Sequence, residues 1–482
     1  MWGQTQGVCP LSHRSPAPPV LHPVVPPQRS LRQMSDMLYY SLGAMRMHEE
    51  RLREQMSLLY LPEAVQEEPV VDQDWDYATA NTKTHTHGFH TYPAMMIPQV
   101  ARRLIRLYAR PHETLLDPFC GSGTSLVEAR LAGLNAYGID LNPLAVLLAR
   151  VKTTPLPADH LQAALSQIYE RYRQLRSLPE EEQIHRIPRF FHIDYWFAPA
   201  IQRDLALLRD VILEIPHQPT REFFLVAFSH TVRECSYTRK GEFKLYRIPL
   251  EQQHNHQPDV LAVFLAKAEA NIAGMTQFAS EIKPATWVQV FQADTRQRQP
   301  IPDESVDIVV TSPPYGDSHT TVAYGQFSRL SLQWLGLSDE EAKSIDTRAL
   351  GGKDTGDSQR NYQSRSLEDT LSQITSRDKR RAKQVRAFYD DFALCLKEIT
   401  RVCRLGARAC FVVGNRTVRG VKIPTDTILV EMAQCFGWRL RDTFERRIPN
   451  KRMPLQNSPS NVPGEKGETM TREHIVVLEK EV

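Results

Sequence analysis

The chain has 482 residues, of which 41% are hydrophobic and 24% are charged, and its formal net charge is +3. This composition is typical of a globular protein with a large core, and it excludes a polybasic chain, so any nucleic-acid surface must be a local patch. The seven cysteines contain no C-x-x-C pair and no apolar run approaches the roughly 20 residues that span a bilayer, so we predict no metal site, no membrane partner and a cytoplasmic location.

The N-terminal region is expected to lie outside the main fold. Residues 1–33 are rich in proline and predict a disordered tail that cannot build a core. Residues 34–80 predict an N-terminal helical segment, because 35–60 form one amphipathic pattern that ends before Pro62.

The region 81–151 predicts a strand–helix–strand unit. "TLLDPF" (114–119) is a short apolar strand, "CGSGT" is a tight turn, and the following helix ends at Gly133. "NAYGIDL" (135–141) is the next strand. Alternating strands and helices predict an α/β fold with a mostly parallel sheet.

A long, mainly helical region, 152–286, interrupts this pattern, and strands then resume. We expect strands at 287–294, 305–312 and 407–415, a helix at 386–406 that ends at Gly406, and a terminal antiparallel pair, 437–449 with 473–480. Counted together these elements predict a seven-stranded sheet. The sequence therefore divides into an α/β domain, 81–151 with 287–482, and a helical insertion.

The glycine turn "DPFCGSGT" (117–124) follows a strand and opens a helix. Gly121 and Gly123 allow close backbone approach to a ligand, and Asp140 ends the next strand about 20 residues later, where nucleotide-binding folds hold ribose hydroxyls. The spacing is not G-x-G-x-x-G and no P-loop lysine follows. A cofactor with a ribose but no phosphate fits best, and S-adenosylmethionine is the common one. The alternative is that the glycines only make a tight turn.

Two further features lie at the same predicted edge of the sheet. Asp294 closes the third strand, where its carboxylate could accept from an adenine amino group, or could be an ordinary surface acid. The fourth strand ends in "TSPPY", in which Ser312 and a backbone carbonyl offer acceptors to an exocyclic amino group, two prolines hold them rigidly, and Tyr315 offers a face to an extruded base. The alternative is a turn that simply stops a strand.

These motifs together resemble the DNA amino-methyltransferases, which use S-adenosylmethionine to methylate N4 of cytosine or N6 of adenine. The resemblance covers roughly 85–150 and 287–480, and it also includes "HGFHTYPAMMIP" (87–98), which implies that Phe89 and His90 lie near the cofactor. It implies a Rossmann-like seven-stranded methyltransferase sheet with a large helical insertion. The implied cofactor-binding residues are Asp117, Phe119, Gly121, Gly123, Thr124, Asp140, Asn142, Asp294 and Tyr92, and the implied catalytic residues are Ser312, Pro313, Pro314 and Tyr315.

A serine at the first position of the catalytic tetrapeptide is, in this family, mostly associated with N4-cytosine enzymes. The resemblance therefore implies methylation of cytosine N4 at a short site in double-stranded DNA, within a restriction-modification system that includes a cognate endonuclease. The alternatives are an N6-adenine DNA enzyme, a tRNA guanine-N2 methyltransferase with a similar PPYG turn, and a catalytically inactive DNA-binding subunit.

The insertion is the candidate target-recognition region. "RECSYTRKGEFKLYRIP" (233–249) mixes basic and aromatic residues, which suits phosphate contact and base stacking or, alternatively, a solvated hairpin. The segment 324–336 could close over the base or pack into the core. The candidate DNA-binding residues are Arg239, Lys240, Lys244, Arg247, Lys451 and Arg452, the last two from the basic loop 446–454.

Overall fold

A seven-stranded sheet organises the computed structural model. In chain order its strands are β1 Thr114–Asp117, β2 Asn135–Asp140, β3 Val288–Gln292, β4 Val306–Thr311, β5 Cys403–Val413, β6 Trp438–Arg447 and β7 Arg472–Lys480. Their order across the sheet is β3-β2-β1-β4-β5-β7-β6. Strands β1 to β5 are parallel, and β7 is antiparallel to both β5 and β6. The predicted α/β fold, its seven strands and the terminal antiparallel pair are confirmed.

The structure describes residues 75–283, 285–316, 322–352, 362–448, 456–457, 467–468 and 470–481. The predicted tail at 1–33, most of the segment at 34–80, and the candidate residues Lys451 and Arg452 lie outside them. Of the predicted helical segment, residues 75–80 form turns and irregular chain rather than helix.

Helices flank the sheet and fill the region between β2 and β3. In chain order they are α1 Pro98–Tyr108, α2 Thr124–Leu131, α3 Pro143–Thr153, α4 Ala158–Arg176, α5 Glu180–Ile184, α6 Ile193–Trp196, α7 Pro199–Leu213, α8 Gln218–Cys235, α9 Leu250–Gln253, α10 Val260–Glu281, α11 Tyr324–Trp334, α12 Asp339–Arg348, α13 Arg365–Thr375, α14 Lys379–Val402 and α15 Thr425–Gln434. A short 3-10 helix, His85–Phe89, precedes α1. Two separate two-stranded sheets pair Thr417–Val418 with Val421–Lys422 and Gln456–Asn457 with Gly467–Glu468.

Alternate residues of each strand pack into cores on opposite faces of the sheet. Leu115 and Val477 belong to the core beneath α1 and α2, whereas Leu116 and Val476 belong to the core beneath α13, α14 and α15. This is the alternation expected of strands in a sheet covered on both faces. The sheet is therefore a rigid platform whose strand ends can carry a site.

The helices between 158 and 281 form a third core with α3 and α11. Phenylalanines of α8 and α10 dominate it, and α11 contributes Phe327, Leu330, Leu332 and Trp334, all buried. The segment 324–336 therefore packs into the core through these side chains. No helix of the described residues is long and apolar enough to cross a membrane.

The prediction that Gly406 ends a helix is wrong. The helix begins at Lys379, where the Asp378 side chain accepts from the Arg381 backbone N–H, and it ends at Val402. Gly406 lies inside β5 with φ +75°, where the pairing register between β4 and β5 shifts. A glycine with positive φ suits a bulge as well as a helix end, and the local sequence does not distinguish the two.

Candidate active site

A cavity of about 1030 Å³, counted with the part open to solvent, lies at the carboxyl ends of β1, β2, β3 and β4. Ten of the residues predicted for the site line it: Tyr92, Asp117, Phe119, Gly121, Thr124, Asp140, Asn142, Asp294, Ser312 and Pro314. We call residues 117–142 the glycine wall and residues 312–316 the proline corner. The parallel arrangement of the strands brings both to one edge, as is usual for ligand sites in open α/β sheets.

The glycine turn adopts a backbone that other residues rarely adopt. Gly121 has φ +48° and Gly123 has φ +81°. A Cβ on Gly123 would lie 2.8 Å from the Ala149 Cα of helix α3, closer than real side chains approach. Gly123 is therefore required by helix packing behind the cavity, and it does not line the cavity itself.

Asp140 organises the turn from the end of β2. Its Oδ2 accepts from the Gly121 backbone N–H at 2.9 Å, and its Oδ1 accepts from the Asn142 backbone N–H at 2.8 Å. Burial raises the pKa of this carboxyl to about 6. Each carboxylate oxygen has further lone pairs, so Asp140 can accept from a pair of ligand hydroxyls in the cavity.

Asp117 joins the elements beneath the turn. Its carboxylate accepts from the Thr311 hydroxyl at 2.6 Å, the Phe119 backbone N–H at 3.1 Å and the Ser125 hydroxyl. Burial raises its pKa to about 6, although these hydrogen bonds oppose the shift. Asp117 thus connects β1 to β4 and α2, which fixes the glycine wall relative to the proline corner.

Asn142 and Tyr92 form a second connection. The Asn142 side chain accepts from the Leu144 backbone N–H at 3.0 Å and caps α3. Its Nδ2 donates to the Tyr92 hydroxyl at 3.1 Å and to the Ser328 hydroxyl at 2.6 Å. The Tyr92 ring stacks on Tyr324 with 5.9 Å between centroids. Asn142 therefore holds the upstream segment and α11 against the glycine wall.

The carboxylate of Asp294 is already engaged within the chain. Arg296 donates to its Oδ1 from Nε at 2.9 Å and to its Oδ2 from Nη2 at 2.6 Å, and also binds Asp391 at 2.8 Å. Burial would raise the Asp294 pKa, but the Arg296 hydrogen bonds lower it overall. Asp294 lines the cavity as an ionised group with part of its acceptor capacity in use.

The proline corner is held from behind by distant strands. The Ser312 Oγ donates to the Val412 carbonyl at 3.1 Å and lies 3.1 Å from the Tyr315 hydroxyl. Tyr315 donates to Glu473 Oε1 at 2.8 Å, and its ring lies beside Gly414. Ser312 and Pro314 line the cavity, whereas Pro313 and Tyr315 do not. The Tyr315 face is therefore not part of the wall in this structure.

Several other predicted residues lie away from the cavity. Phe89 is buried against Phe223 of the helical core, and His90 contacts the Ser229 hydroxyl at 3.0 Å, so neither lines the wall. Their predicted placement beside the ligand site is not what the structure has. Within 87–98, the sequence pattern does not indicate that Tyr92 and residues 93–96 line the cavity while Phe89 and His90 do not.

The basic residues of 233–249 lie in the helical region and do not line the cavity. Arg247 stacks on the rings of Tyr195, at 4.1 Å, and Tyr237, at 5.1 Å. Arg239 and Lys240 are exposed, and Lys240 pairs with Glu234 at 3.1 Å. Lys244 is half-buried. The segment makes one isolated bridge, Thr238 with Arg247, and so resembles a short hairpin.

Two further segments line the cavity. Residues 93–96 belong to the segment 87–98 that the resemblance implied, although none of them was named for the site. Ile345, Asp346 and residues 348–350 were missed by sequence reasoning. The second segment follows a capping box at Ser338 and Glu341, which marks where α12 begins but not what it faces. Within the part of the chain that the structure describes, no group of three or more His, Cys, Asp or Glu residues could hold a metal ion.

Comparison with known proteins identifies the class of site. A family model described as DNA methylase matches residues 30–150. The Type II methyltransferase M.MvaI of Kocuria varians is 41% identical over 421 residues, which are 83% of this chain and 92% of that protein. The chain belongs to the DNA amino-methyltransferase family. S-adenosylmethionine is the cofactor of these methyltransferases.

Other matches to this amino-methyltransferase are weaker. The Type II methyltransferase M.BsoBI of Geobacillus stearothermophilus is 21% identical over 451 residues, 83% of this chain and 87% of that protein. Among solved structures, the rRNA methyltransferase aviRa of Streptomyces viridochromogenes is 13% identical, covers 81% of this chain and 88% of that chain, and superimposes with a TM-score of 0.28. The fold assignment rests on the strand order and not on this superposition.

Proposed function

We propose that this amino-methyltransferase transfers the methyl group of S-adenosylmethionine to the N4 amino group of cytosine in double-stranded DNA, at a defined short sequence. The observation that carries the proposal is that Ser312, from the proline corner, and Gly121 and Asp140, from the glycine wall, line one cavity. A methyl donor on the glycine wall and an amino group at Ser312 would share that cavity, as direct transfer requires.

The residues of the glycine wall and its neighbours are those that we propose to bind the cofactor. Asp140 would accept from the ribose hydroxyls, and the Gly121 backbone would allow close approach beside the N-terminus of α2. Phe119 and Asn142 would complete this side, with Tyr92 and Thr124 beside them. Asp294 would contact the adenine edge through a lone pair that Arg296 leaves unused. The bound cofactor supplies an electrophilic methyl group, and the chain supplies orientation.

The target residues would act on the amino group of the base. Its nitrogen lone pair is delocalised into the ring, so acceptors aimed at its two hydrogens favour a tetrahedral nitrogen that can attack a methyl carbon. Ser312 Oγ would be one acceptor and a backbone carbonyl of the corner the other. Pro313 and Pro314 hold these atoms rigidly, and Tyr315, whose ring does not line the cavity, would support Ser312 through its hydroxyl.

The DNA surface is proposed to include Arg239, Lys240, Lys244 and Arg247 of the helical region, with Lys451 and Arg452. Arginine stacked on aromatic rings, as Arg247 is on Tyr195 and Tyr237, suits contact with both phosphate and base. The likeness to two Type II methyltransferases supports a role beside a cognate restriction endonuclease. The serine of the corner favours cytosine over adenine as the target.

The test is nucleoside mass spectrometry of double-stranded DNA treated with the protein and methyl-labelled S-adenosylmethionine. We expect labelled N4-methylcytosine, and none with the Ser312→Ala variant. Labelled N6-methyladenine would overturn the cytosine assignment and keep the class of reaction. Label in tRNA but not DNA, or no product despite cofactor binding, would overturn the proposal in favour of the RNA enzyme or the inactive subunit.

A further inference from the structure

A chain of hydrogen bonds leads from the cavity wall to an ion pair between the last two strands. Ser312 Oγ lies 3.1 Å from the Tyr315 hydroxyl, which donates to Glu473 Oε1 at 2.8 Å. The other Glu473 oxygen accepts from Arg446 Nη1, and Arg446 Nε donates to the Trp75 carbonyl at 3.1 Å. Glu473 on β7 and Arg446 on β6 are direct cross-strand neighbours. Neither residue belongs to the motifs that resemble the family.

The direction of the protons along this chain is fixed by chemistry. A carboxylate only accepts and a guanidinium only donates, so Tyr315 must give its single hydroxyl proton to Glu473. Burial, then the charge of Glu473, raise the pKa of Tyr315 well above its ordinary value, so the phenol keeps that proton. Ser312 must then direct its own proton to the Tyr315 oxygen or to the Val412 carbonyl.

In both cases no proton points at Ser312 Oγ from within the described residues. Its lone pairs are free to face the cavity that Ser312 lines. The amino group of a base would donate its hydrogens toward Ser312 Oγ, so Ser312 must have a free lone pair to accept one of them. If the Tyr315 proton turned toward Ser312 instead, one of those lone pairs would be occupied.

We propose that Glu473 is a positioning residue that, by accepting the Tyr315 proton, keeps Ser312 Oγ an acceptor for the target amino group. This inference rests on the proposed function, because it assumes that Ser312 contacts the amino group. Arg446 holds the carboxylate in place from the opposite side. The two strands at the edge of the sheet therefore take part in orienting the active site through hydrogen bonds.

The variant Glu473→Gln should reverse the direction of the hydrogen bonds between residue 473, Tyr315 and Ser312, with little change in side-chain shape. Arg446 can only donate, so the amide oxygen of glutamine must face Arg446 and its NH₂ must face Tyr315. The Tyr315 proton is then driven toward Ser312. We expect the single-turnover rate of DNA methylation to fall about tenfold, the effect of one lost hydrogen bond, with unchanged dissociation constants for cofactor and DNA.

Testing Glu473→Gln in the Tyr315→Phe variant separates a positioning role of Glu473 from a purely structural role. Tyr315→Phe removes the hydroxyl whose proton Glu473→Gln would redirect toward Ser312. Adding Glu473→Gln to Tyr315→Phe should therefore cause no further loss of the methylation rate. Independent losses that multiply in the double variant would overturn the proposal, as would a wild-type rate for Glu473→Gln alone. The matched control is Glu445→Gln, from the exposed Glu445–Arg472 pair on the same two strands, which should keep the wild-type rate.

Folding is checked by thermal unfolding of each variant. If Glu473→Gln does not fold, the double variant Glu473→Met with Arg446→Met replaces the ion pair by apolar side chains, a change that is often neutral for stability. It also removes the carboxylate acceptor, so the same fall in rate is expected, and an unchanged rate would overturn the proposal. A wild-type protein that methylates no DNA would instead contradict the proposed function itself.

Discussion

The two sides of the cavity are built in different ways. On the glycine wall, Asp140 reaches back only 19 residues to the Gly121 backbone and 2 residues forward to Asn142. At the proline corner, Ser312 reaches 100 residues to Val412 and Tyr315 reaches 158 residues to Glu473. The glycine turn itself is thus organised within one strand–helix–strand unit, and Asp117 and Asn142 join that unit to β4 and α11. The proline corner depends on strands that are far away in sequence.

This contrast predicts which property a substitution on each side of the cavity should affect. A change at Gly123 or Asp140 should affect local packing and cofactor binding, because the partners of these two residues lie within 121–149. A change behind the proline corner should alter turnover and leave cofactor binding intact, since Val412 and Glu473 do not line the cavity. The Glu473 variants described above test the side of the proline corner. The variants below test the glycine wall and then the proposed DNA surface, beginning with the largest expected effect.

Gly123→Ala should be the most damaging change to the glycine wall. The new methyl would meet the Ala149 Cα at 2.8 Å, and the backbone φ of +81° is unfavourable for alanine. Strain and overpacking together predict a loss of about 2–4 kcal/mol in the free energy of unfolding, measured by denaturant titration.

Gly336→Ala is the matched control. Gly336 also has positive φ, +99°, but apart from the glycine and its two chain neighbours no described atom lies within 4 Å of the position that a Cβ would take there. It should lose only the strain component, about 1 kcal/mol. Equal losses in the two variants would show that helix packing behind the glycine turn is not what requires Gly123.

Asp140→Asn should weaken cofactor binding about tenfold to a hundredfold, measured by calorimetry, because hydrogen bonds to a charged acceptor are lost. The wild-type affinity should also depend on pH. Burial raises the Asp140 pKa to about 6, so the carboxylate gains a proton and loses acceptor strength as the pH falls below that value.

The affinity of the wild type should therefore decrease below about pH 6, and that of Asp140→Asn should stay flat in the same range. Asp117 has a pKa raised to a similar value, but its carboxylate faces Thr311 and Ser125 hydroxyls. An undiminished pH dependence in the Asp140→Asn variant would assign the titration to Asp117 and remove Asp140 from the ribose contact.

The smallest expected effects lie on the proposed DNA surface. Arg239→Ala and Lys244→Ala should each weaken DNA binding several-fold, and the slope of log K against log salt should fall by about one for each phosphate that the variant no longer binds. Turnover at saturating DNA should not change. Arg365→Ala, at an exposed pair with Asp369, is the control and should leave both quantities unaltered. An unchanged salt slope for Arg239 and Lys244 would exclude them from the interface.

The sequence predicted the number of strands, their mostly parallel arrangement and the position of the glycine turn, for a physical reason. Strand, turn, helix and acid follow one another within 117–142, so spacing alone places Gly121 and Asp140 together. Parallel strands then bring Ser312 to the same edge. The terminal antiparallel pair could be predicted because 437–449 and 473–480 both have a sequence pattern typical of strands and lie close together in the chain.

Other parts of the site could not be read in this way. Nothing local to "REHIVV" indicates that Glu473 accepts from Tyr315, because the contact exists only after β7 inserts beside β5. The same applies to 345–350, whose place on the wall is set by packing of α12 on α11. The bulge at Gly406 was misassigned because one residue type serves two backbone roles.

The position of β7 has a consequence for how the molecule is assembled. Strand β6 is synthesised first but pairs in the sheet only with β7, so it has no place in the sheet until β7 arrives. On a nascent chain leaving the ribosome, the glycine wall is synthesised long before β7, so the proline corner still lacks its hydrogen bond to Glu473 when the glycine wall can fold. Competence for catalysis would then appear abruptly, with the docking of one nine-residue strand.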